Sequence, residues 1–231
     1  MTDYDRNGTG AEASRFGALA SVGNTHEEFT LKKDRSFTFV IDKMDKDETG
    51  GVLSGATALA RQQREKIIPE VDTYTYGVMA AGAGTKVTGV TLTDANIYDE
   101  ITKGTALLDD EEVLQTGRKL VVVPEVYRLM KKCKEINLEC DLTEKQRLSG
   151  VIAMLDGMDV IKVSKKRMPV NAGFMICHPV ATVAPTKLED YRVHQDPPGI
   201  SGELVEGRIV YDAFVLDNKK KAIYYFENKN A

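Results

Sequence analysis

The chain has 231 residues, 42% of them hydrophobic and 29% charged, which excludes a disordered polyelectrolyte or a fibrous repeat and leaves room for a sizeable core. A net charge of -4 argues against a dedicated nucleic-acid binder acting by wholesale counterion release, while leaving a local basic face open. No apolar run approaches the roughly 20 residues of a membrane span, and Met1 to Asn7 lacks a signal peptide's basic and apolar regions, so a soluble, non-exported chain is expected.

Met1 to Glu28, with scattered glycines and no apolar period, reads as a loop or arm. Phe29, Leu31, Phe37, Phe39 and Ile41 then share one parity, as a half-buried strand requires. Val52, Ala56, Leu59, Ala60, Ile67, Val71, Tyr74 and Val78 recur at spacings of three and four and predict a long amphipathic helix. Pro69 interrupts it, so the helix kinks there or packing outweighs the lost donor. Ile97, Ile101, Gly104 and Leu108 trace a second helix, opened by Thr91-x-x-Asp94.

Leu120 to Val123 reads as a buried strand, and Pro124 as the first helical turn before Val126, Leu129, Met130 and Cys133. A polar loop over Glu135 to Leu148 precedes a hairpin turning at Asp156-Gly157. Phe174 to Cys177 is another short strand. After Tyr191 and Val193, the breaker Asp196-Pro197-Pro198-Gly199 leads into alternation at Val205, Ile209, Tyr211, Ala213 and Val215, then a return over Ala222 to Phe226. The order implies an α+β chain whose two ends share one sheet.

Catalytic patterns are sparse. The stretch Ala80 to Lys86 follows a helix and ends Thr-Lys, so it reads as a helix end rather than a phosphate loop. Cys177 and His178 are strand neighbours facing opposite ways and cannot act as nucleophile and base. Cys133, Cys140 and Cys177 lack CxxC spacing, which predicts reduced thiols. Asp190, His194 and Asp196 would share one strand face, a conceivable metal set without signature spacing, for which a solvated strand face is the simpler reading. The basic groups Lys165 to Arg167 and Lys219 to Lys221 fall in turns where solvated lysines are common. No cofactor and no enzymatic activity are expected; a small metal-dependent enzyme using Asp190, His194 and Asp196 is the alternative.

Several segments in fixed order resemble the major capsid proteins of tailed bacteriophages and prophages, built on the Hong Kong phage capsid fold shared with encapsulins. They are Asp34-Arg-Ser-Phe-Thr-Phe-Val-Ile-Asp42, Ala58 to Asp72 with its Arg-Glu-Lys-Ile-Ile-Pro-Glu-Val-Asp ending, Lys119 to Tyr127 and Asp156 to Val163. The fullest is the tail, Ala184 to Tyr191 and then Pro197 to Lys221 with Glu-Gly-Arg-Ile-Val-Tyr-Asp-Ala-Phe-Val-Leu.

The resemblance implies a long spine helix packed on an antiparallel sheet in a peripheral domain, with a mixed α/β axial domain. Residues 1–45 would be an extension-loop remnant and returning strand, residues 46–84 and 187–231 the peripheral domain, and residues 85–186 the axial domain. It also implies that the family's N-terminal arm and outgoing loop strand are missing before Met1, leaving the strand at Arg35 to Asp42 without its hairpin partner. The implied role is a coat subunit forming pentamers and hexamers of an icosahedral shell, made in the bacterial host cytoplasm and residing in the virion. Its implied partners are packaged DNA, touched weakly, and a scaffold protein, with no membrane; an encapsulin-like compartment shell is a further alternative. Expected subunit contacts are Arg35, Phe37 and Phe39 in the loop strand, and Asp141, Glu144, Lys145 and Arg147 in an axial loop.

Overall fold

The computed structural model describes Tyr4, residues 27–139 and residues 154–229. Two units divide the chain, Met1–Thr30 and Leu31–Ala231. In the first, the described residues Tyr4 and 27–30 carry no helix or strand.

The second unit opens with strand β1 (Lys33–Asp42), so the alternation at Phe37, Phe39 and Ile41 is a strand, whereas Phe29 and Leu31 precede it. Asp42 then accepts a hydrogen bond from the Met44 amide and starts the short helix α1 (Lys43–Glu48). Ser54 caps α2 (Gly55–Gln62) through a capping box with Thr57.

The turn Gln63–Ile67 winds as a π-helix, in which the Ile68 amide bonds to the Gln63 carbonyl five residues back. The helix resumes as α3 (Ile68–Gly82). Neither a free kink nor simple tolerance describes Pro69: widening the preceding turn removes the demand for its missing N–H and moves the carbonyl its ring would strike. Across its 28 positions the rod is roughly 42 Å long at about 1.5 Å per residue.

Next come β2 (Thr85–Val90) and α4 (Ile97–Asp110). The second helix begins later than Thr91-x-x-Asp94 implies. Asn96 accepts from the Thr93 amide at 2.7 Å and donates to the Thr91 carbonyl at 3.0 Å, holding 91–96 as a turn. β3 (Lys119–Val122) runs into α5 (Pro124–Lys132), with Pro124 in the first turn, followed by α6 (Lys134–Glu139). The helix α6 occupies the start of the stretch read as a polar loop. Asp141, Glu144, Lys145 and Arg147 lie outside the described residues.

The hairpin β4 (Met154–Leu155) and β5 (Met158–Lys162) turns at Asp156 and Gly157, whose φ values of 50° and 71° give the primed turn that Asp-Gly favours. β6 (Ala172–Cys177), β7 (Thr182–Val183), β8 (Thr186–Gln195), β9 (Gly202–Tyr211), β10 (Phe214–Val215) and β11 (Ile223–Asn228) complete the described chain.

Two principal sheets result. In the order β1-β9-β8, β1 pairs antiparallel with β9 over ten residues from Lys33↔Tyr211 to Asp42↔Gly202, so β1 has a full-length partner and shares a sheet with the tail strands β8 and β9, though not with the last strand. Its other edge pairs with no strand among the described residues. The second sheet has six strands in the order β2-β11-β6-β3-β5-β4.

Two tail expectations need correction. The alternation from Val205 to Val215 is not one strand: β9 stops at Tyr211, the Asp212 amide bonds to the Pro185 carbonyl at 3.2 Å, and β10 pairs with β7. Nor does the closing strand join the first sheet. β11 inserts between β2, to which it is parallel, and β6, to which it is antiparallel. The last strand of the tail therefore lies in the sheet whose other strands come from residues 85–177. The cause is composition: Ile223, Tyr224, Tyr225 and Phe226 are all buried, as a strand covered on both faces requires.

The main core lies on this second sheet, where Phe174 stacks on Phe226 at 4.9 Å and on Tyr224 at 5.9 Å. Met79 and Ala80, near the end of α3, join that core, while Gly55 at the start of α2 packs on Val193 and Val205 of the first sheet. The helical rod thus spans both sheets.

Candidate assembly surface

The sheet β1-β9-β8 has two unlike faces, set by strand parity. Its odd positions meet the helical rod. Arg35 Nε donates to Glu70 at 2.7 Å, and Phe37 lies between Phe39 at 6.0 Å and Tyr191 at 6.1 Å, directly above Gly207. A side chain at Gly207 would collide with the Phe37 ring, so glycine there is what admits the aromatic row. A cleft of about 300 Å³ remains between strand and rod, lined by Arg35, Phe37, Ile67, Glu70, Val71 and Ile209. Arg35, Phe37 and Phe39 are thus brought together, and each also makes contacts within its own chain.

The even positions carry a ladder of alternating charges. Arg208 binds Asp34 through two donors, one at 2.9 Å and one at 2.5 Å, Arg192 binds Asp190 at 2.8 Å, and His194 Nε2 stands 3.3 Å from Glu206. The Arg208 hydrogen bond holds the Asp34 carboxyl below the usual range, against a small opposing effect of burial. These pairs border a shallow depression of about 430 Å³. The ladder was missed as a unit; its signal is the charges at even positions of strands whose odd positions are apolar.

The conceivable metal set is not assembled. At about 3.3 Å per strand residue, Asp190 and His194 are roughly 13 Å apart along β8, too far to share an ion. Asp196 has φ 44° and leaves the strand parity, accepting from the Gly202 amide at 3.1 Å and pairing with Lys43 at 3.4 Å. Among the described residues no three His, Cys, Asp or Glu side chains are grouped to hold a metal.

Cys177 and His178 are equally divided. His178 Nδ1 accepts from the Val180 amide at 3.1 Å and its Nε2 lies 3.1 Å from the Thr116 carbonyl, which fixes the neutral tautomer with the proton on Nε2. Burial pushes the Cys177 thiol up to about 11, with Lys119 opposing slightly. Cys177 should therefore resist alkylation at pH 8 in the native protein and react only on unfolding, as peptide mass mapping would show; rapid native labelling would contradict its placement. The glycine-rich stretch ends α3 as expected: Lys86 Nζ caps the Ala81 carbonyl at 2.7 Å, and the Gly84 amide donates to the Lys220 carbonyl at 2.9 Å.

Two buried carboxylates at the ends of β9 fasten the rod to the sheet, and neither was anticipated. Glu203 accepts from Lys46 Nζ at 2.5 Å and from the Gly55 amide, which together hold its carboxyl below the usual range. Asp212, 2% exposed, accepts from Tyr74 Oη at 2.7 Å, the Lys32 amide at 2.9 Å and the Ala213 amide at 2.8 Å.

No protein-family model matches the chain, and no curated protein does. Solved structures do. A chain of Mycobacterium phage Che8 superposes with TM-score 0.73 at 17% identity, covering 93% of this chain and 78% of its own. The chain has the phage capsid fold. A subunit in the capsid of cyanophage P-SCSP1u matches at TM-score 0.69 and 12% identity, over 93% of this chain and 80% of that one. A subunit of the mature capsid of bacteriophage PhiM1 follows at TM-score 0.66 and 14% identity, over 93% and 78%.

Proposed function

We propose that the chain is a structural coat subunit of a tailed phage or prophage, assembling through pentamers and hexamers into an icosahedral shell that encloses DNA. The observation that carries this reading is the capsid fold, matched over 93% of the chain to subunits of phage particles. Function then resides in heterologous contacts, each patch meeting a different patch on the next copy so that rings close.

In this reading residues 1–45 form the extension-loop remnant, residues 46–84 and 187–231 the peripheral domain, and residues 85–186 the axial domain, with β11 lending its strand to the axial sheet. Arg35, Phe37 and Phe39 would contribute to contacts with a neighbouring copy. Asp141, Glu144, Lys145 and Arg147 would meet around the capsomer centre as rim ion pairs worth about 0–1 kcal/mol each, weak enough for assembly errors to be corrected. The particle would be the virion capsid, built in the host cytoplasm with a scaffold protein.

Sedimentation velocity over a concentration series, with negative-stain images of the fast fraction, tests the reading. Rings of five or six, tubes or shells support it, and a strict monomer at every concentration overturns it. K145E with R147E should abolish ring formation, and adding D141K with E144K should restore it, since the proposed pairs would reform with signs exchanged. Shells that retain protein cargo and exclude nucleic acid would indicate the encapsulin-like alternative.

A further inference from the structure

The rod carries an unbalanced charge where α2 passes into the π-wound turn. Among the described ion pairs each carboxylate serves one cation, with one exception: Glu65 is shared by Arg61 at 3.0 Å and Arg64 at 3.4 Å. Lys66 follows, exposed and in no described ion pair. The six residues 61–66 hold three cations and one carboxylate, in a chain of net charge -4. The two arginine side chains are 73% and 76% exposed. Arg61, Glu65 and Lys66 border one open groove of about 690 Å³ beside Val52, Leu53 and Ala58, and Arg64 reaches the same Glu65.

Several other basic groups have local partners. Arg167 pairs with Asp72 at 2.7 Å, Lys165 lies 3.8 Å from Glu125, Lys220 pairs with Asp217 at 2.6 Å and Lys221 with Glu111 at 2.6 Å. Lys131 and Lys132 end α5, where the helix dipole favours cations, and Lys131 and Lys162 lie over the Tyr127 ring at 5.1 and 5.3 Å. Arg128 on α5 is likewise in no described ion pair, but it shares no carboxylate with a second arginine, whereas Arg61 and Arg64 share Glu65 on the helical rod with Lys66 next to them.

We infer that Arg61, Arg64 and Lys66 form a phosphate-contacting patch for the backbone of duplex DNA, which makes this side of the rod the lumen-facing side of the subunit. The inference rests on the shell reading for its biological meaning, but the contact itself is a property of the single chain. Arg61 and Lys66 lie roughly 7.5 Å apart along the rod at about 1.5 Å per residue, close enough for both to reach phosphates of one duplex. Guanidinium groups suit phosphate because their planar donors can bind it in pairs. With three contacts per subunit, binding is sequence-independent and weak for one copy, and becomes effective only when many copies line a surface.

Fluorescence anisotropy with a labelled duplex of arbitrary sequence, at 20 to 200 mM salt, tests the patch. The triple variant R61Q/R64Q/K66Q should bind at least tenfold more weakly at the lowest salt, and its salt slope should fall by about 0.9 for each lost phosphate contact. The control K219Q/K220Q/K221Q removes the same charge elsewhere and should bind as the unaltered chain does. E65Q, which needs no loss of fold to be read, should bind more tightly. Equal weakening by both triple variants, an unchanged R61Q/R64Q/K66Q, or no binding by the unaltered chain at 20 mM salt would each overturn the inference. Sedimentation of the same variants separates it from the shell reading: R61Q/R64Q/K66Q should assemble like the unaltered chain, so failure to assemble by all chains counts against the shell and not against the patch.

Discussion

Replacing Phe174 with Ala should lower the unfolding free energy by about 3–5 kcal/mol in urea titrations, the range for deleting a fully enclosed aromatic ring. Phe174, Phe226 and Ile176 are wholly buried and Tyr224 is 1% exposed. The Phe174 ring stacks on two of them, so its loss opens a cavity that its neighbours cannot fill without leaving their strands. The strands concerned are β6 and β11, paired from Ile223↔Cys177 to Phe226↔Phe174. Because β11 comes from the far end of the chain, the substitution acts on the pairing that closes the six-stranded sheet. Ile161→Ala, at a position 40% exposed on β5, should cost well under half as much. Comparable losses at the two positions would mean that the stacked rings are not the centre of the core.

That closing strand also shows where sequence reasoning stops. Period and punctuation were sufficient wherever an element's partner is solvent on one side: β1 from its alternation, α5 from Pro124, and the hairpin from Asp156-Gly157. They were not sufficient where the partner is distant in sequence. Tyr224 to Phe226 look the same whether they pair with β9, as the alternation suggested, or between β2 and β6, as they do. The strand buried on both faces has no period to read. The π-turn before Pro69 was legible as a conflict but not as its resolution, because the answer depends on a carbonyl four residues back rather than on residue type.

The site divides in the same way. Phe37 and Phe39 were visible as one face, and the contact of Phe37 with Tyr191 and Gly207 followed once β9 lay between β1 and β8. Asp34, Arg208 and Asp190 were not visible as a ladder, since exposed strand charges are ordinary taken singly and acquire meaning from register. The Asp190, His194 and Asp196 set failed for the converse reason: shared parity does not bring residues within reach along an extended chain.

The buried carboxylate Asp212 leads to the second large effect. It lies where β9 ends and receives three donors: the Tyr74 hydroxyl from the rod, the Lys32 amide from the approach to β1, and the Ala213 amide next to it. Asp212→Ala strands these donors in a site that water scarcely enters, and should cost about 3–5 kcal/mol by urea titration, at about 1–3 kcal/mol for each unsatisfied buried group without full additivity. Asp212→Asn tests the charge rather than the shape. Burial by itself would raise the Asp212 carboxyl, but the Tyr74 hydroxyl and the two amides outweigh it and hold the group below its usual 3.8. The same bond pushes the Tyr74 hydroxyl up to about 12, so Tyr74 keeps its proton and remains a donor at neutral pH. A carboxyl whose folded value is depressed contributes stability that is fully present above its unfolded value and is lost as pH falls through the folded one. Stability of the unaltered chain should therefore decline from about pH 5 downward, and the decline should be shallower in Asp212→Asn, which has no proton to take up at this position. Parallel acid limbs for the two proteins would show that the ionised carboxylate contributes nothing, and that other contacts, among them Tyr74 packing on Tyr211 at 5.9 Å and Arg35 bonded to Glu70, hold the rod at this end.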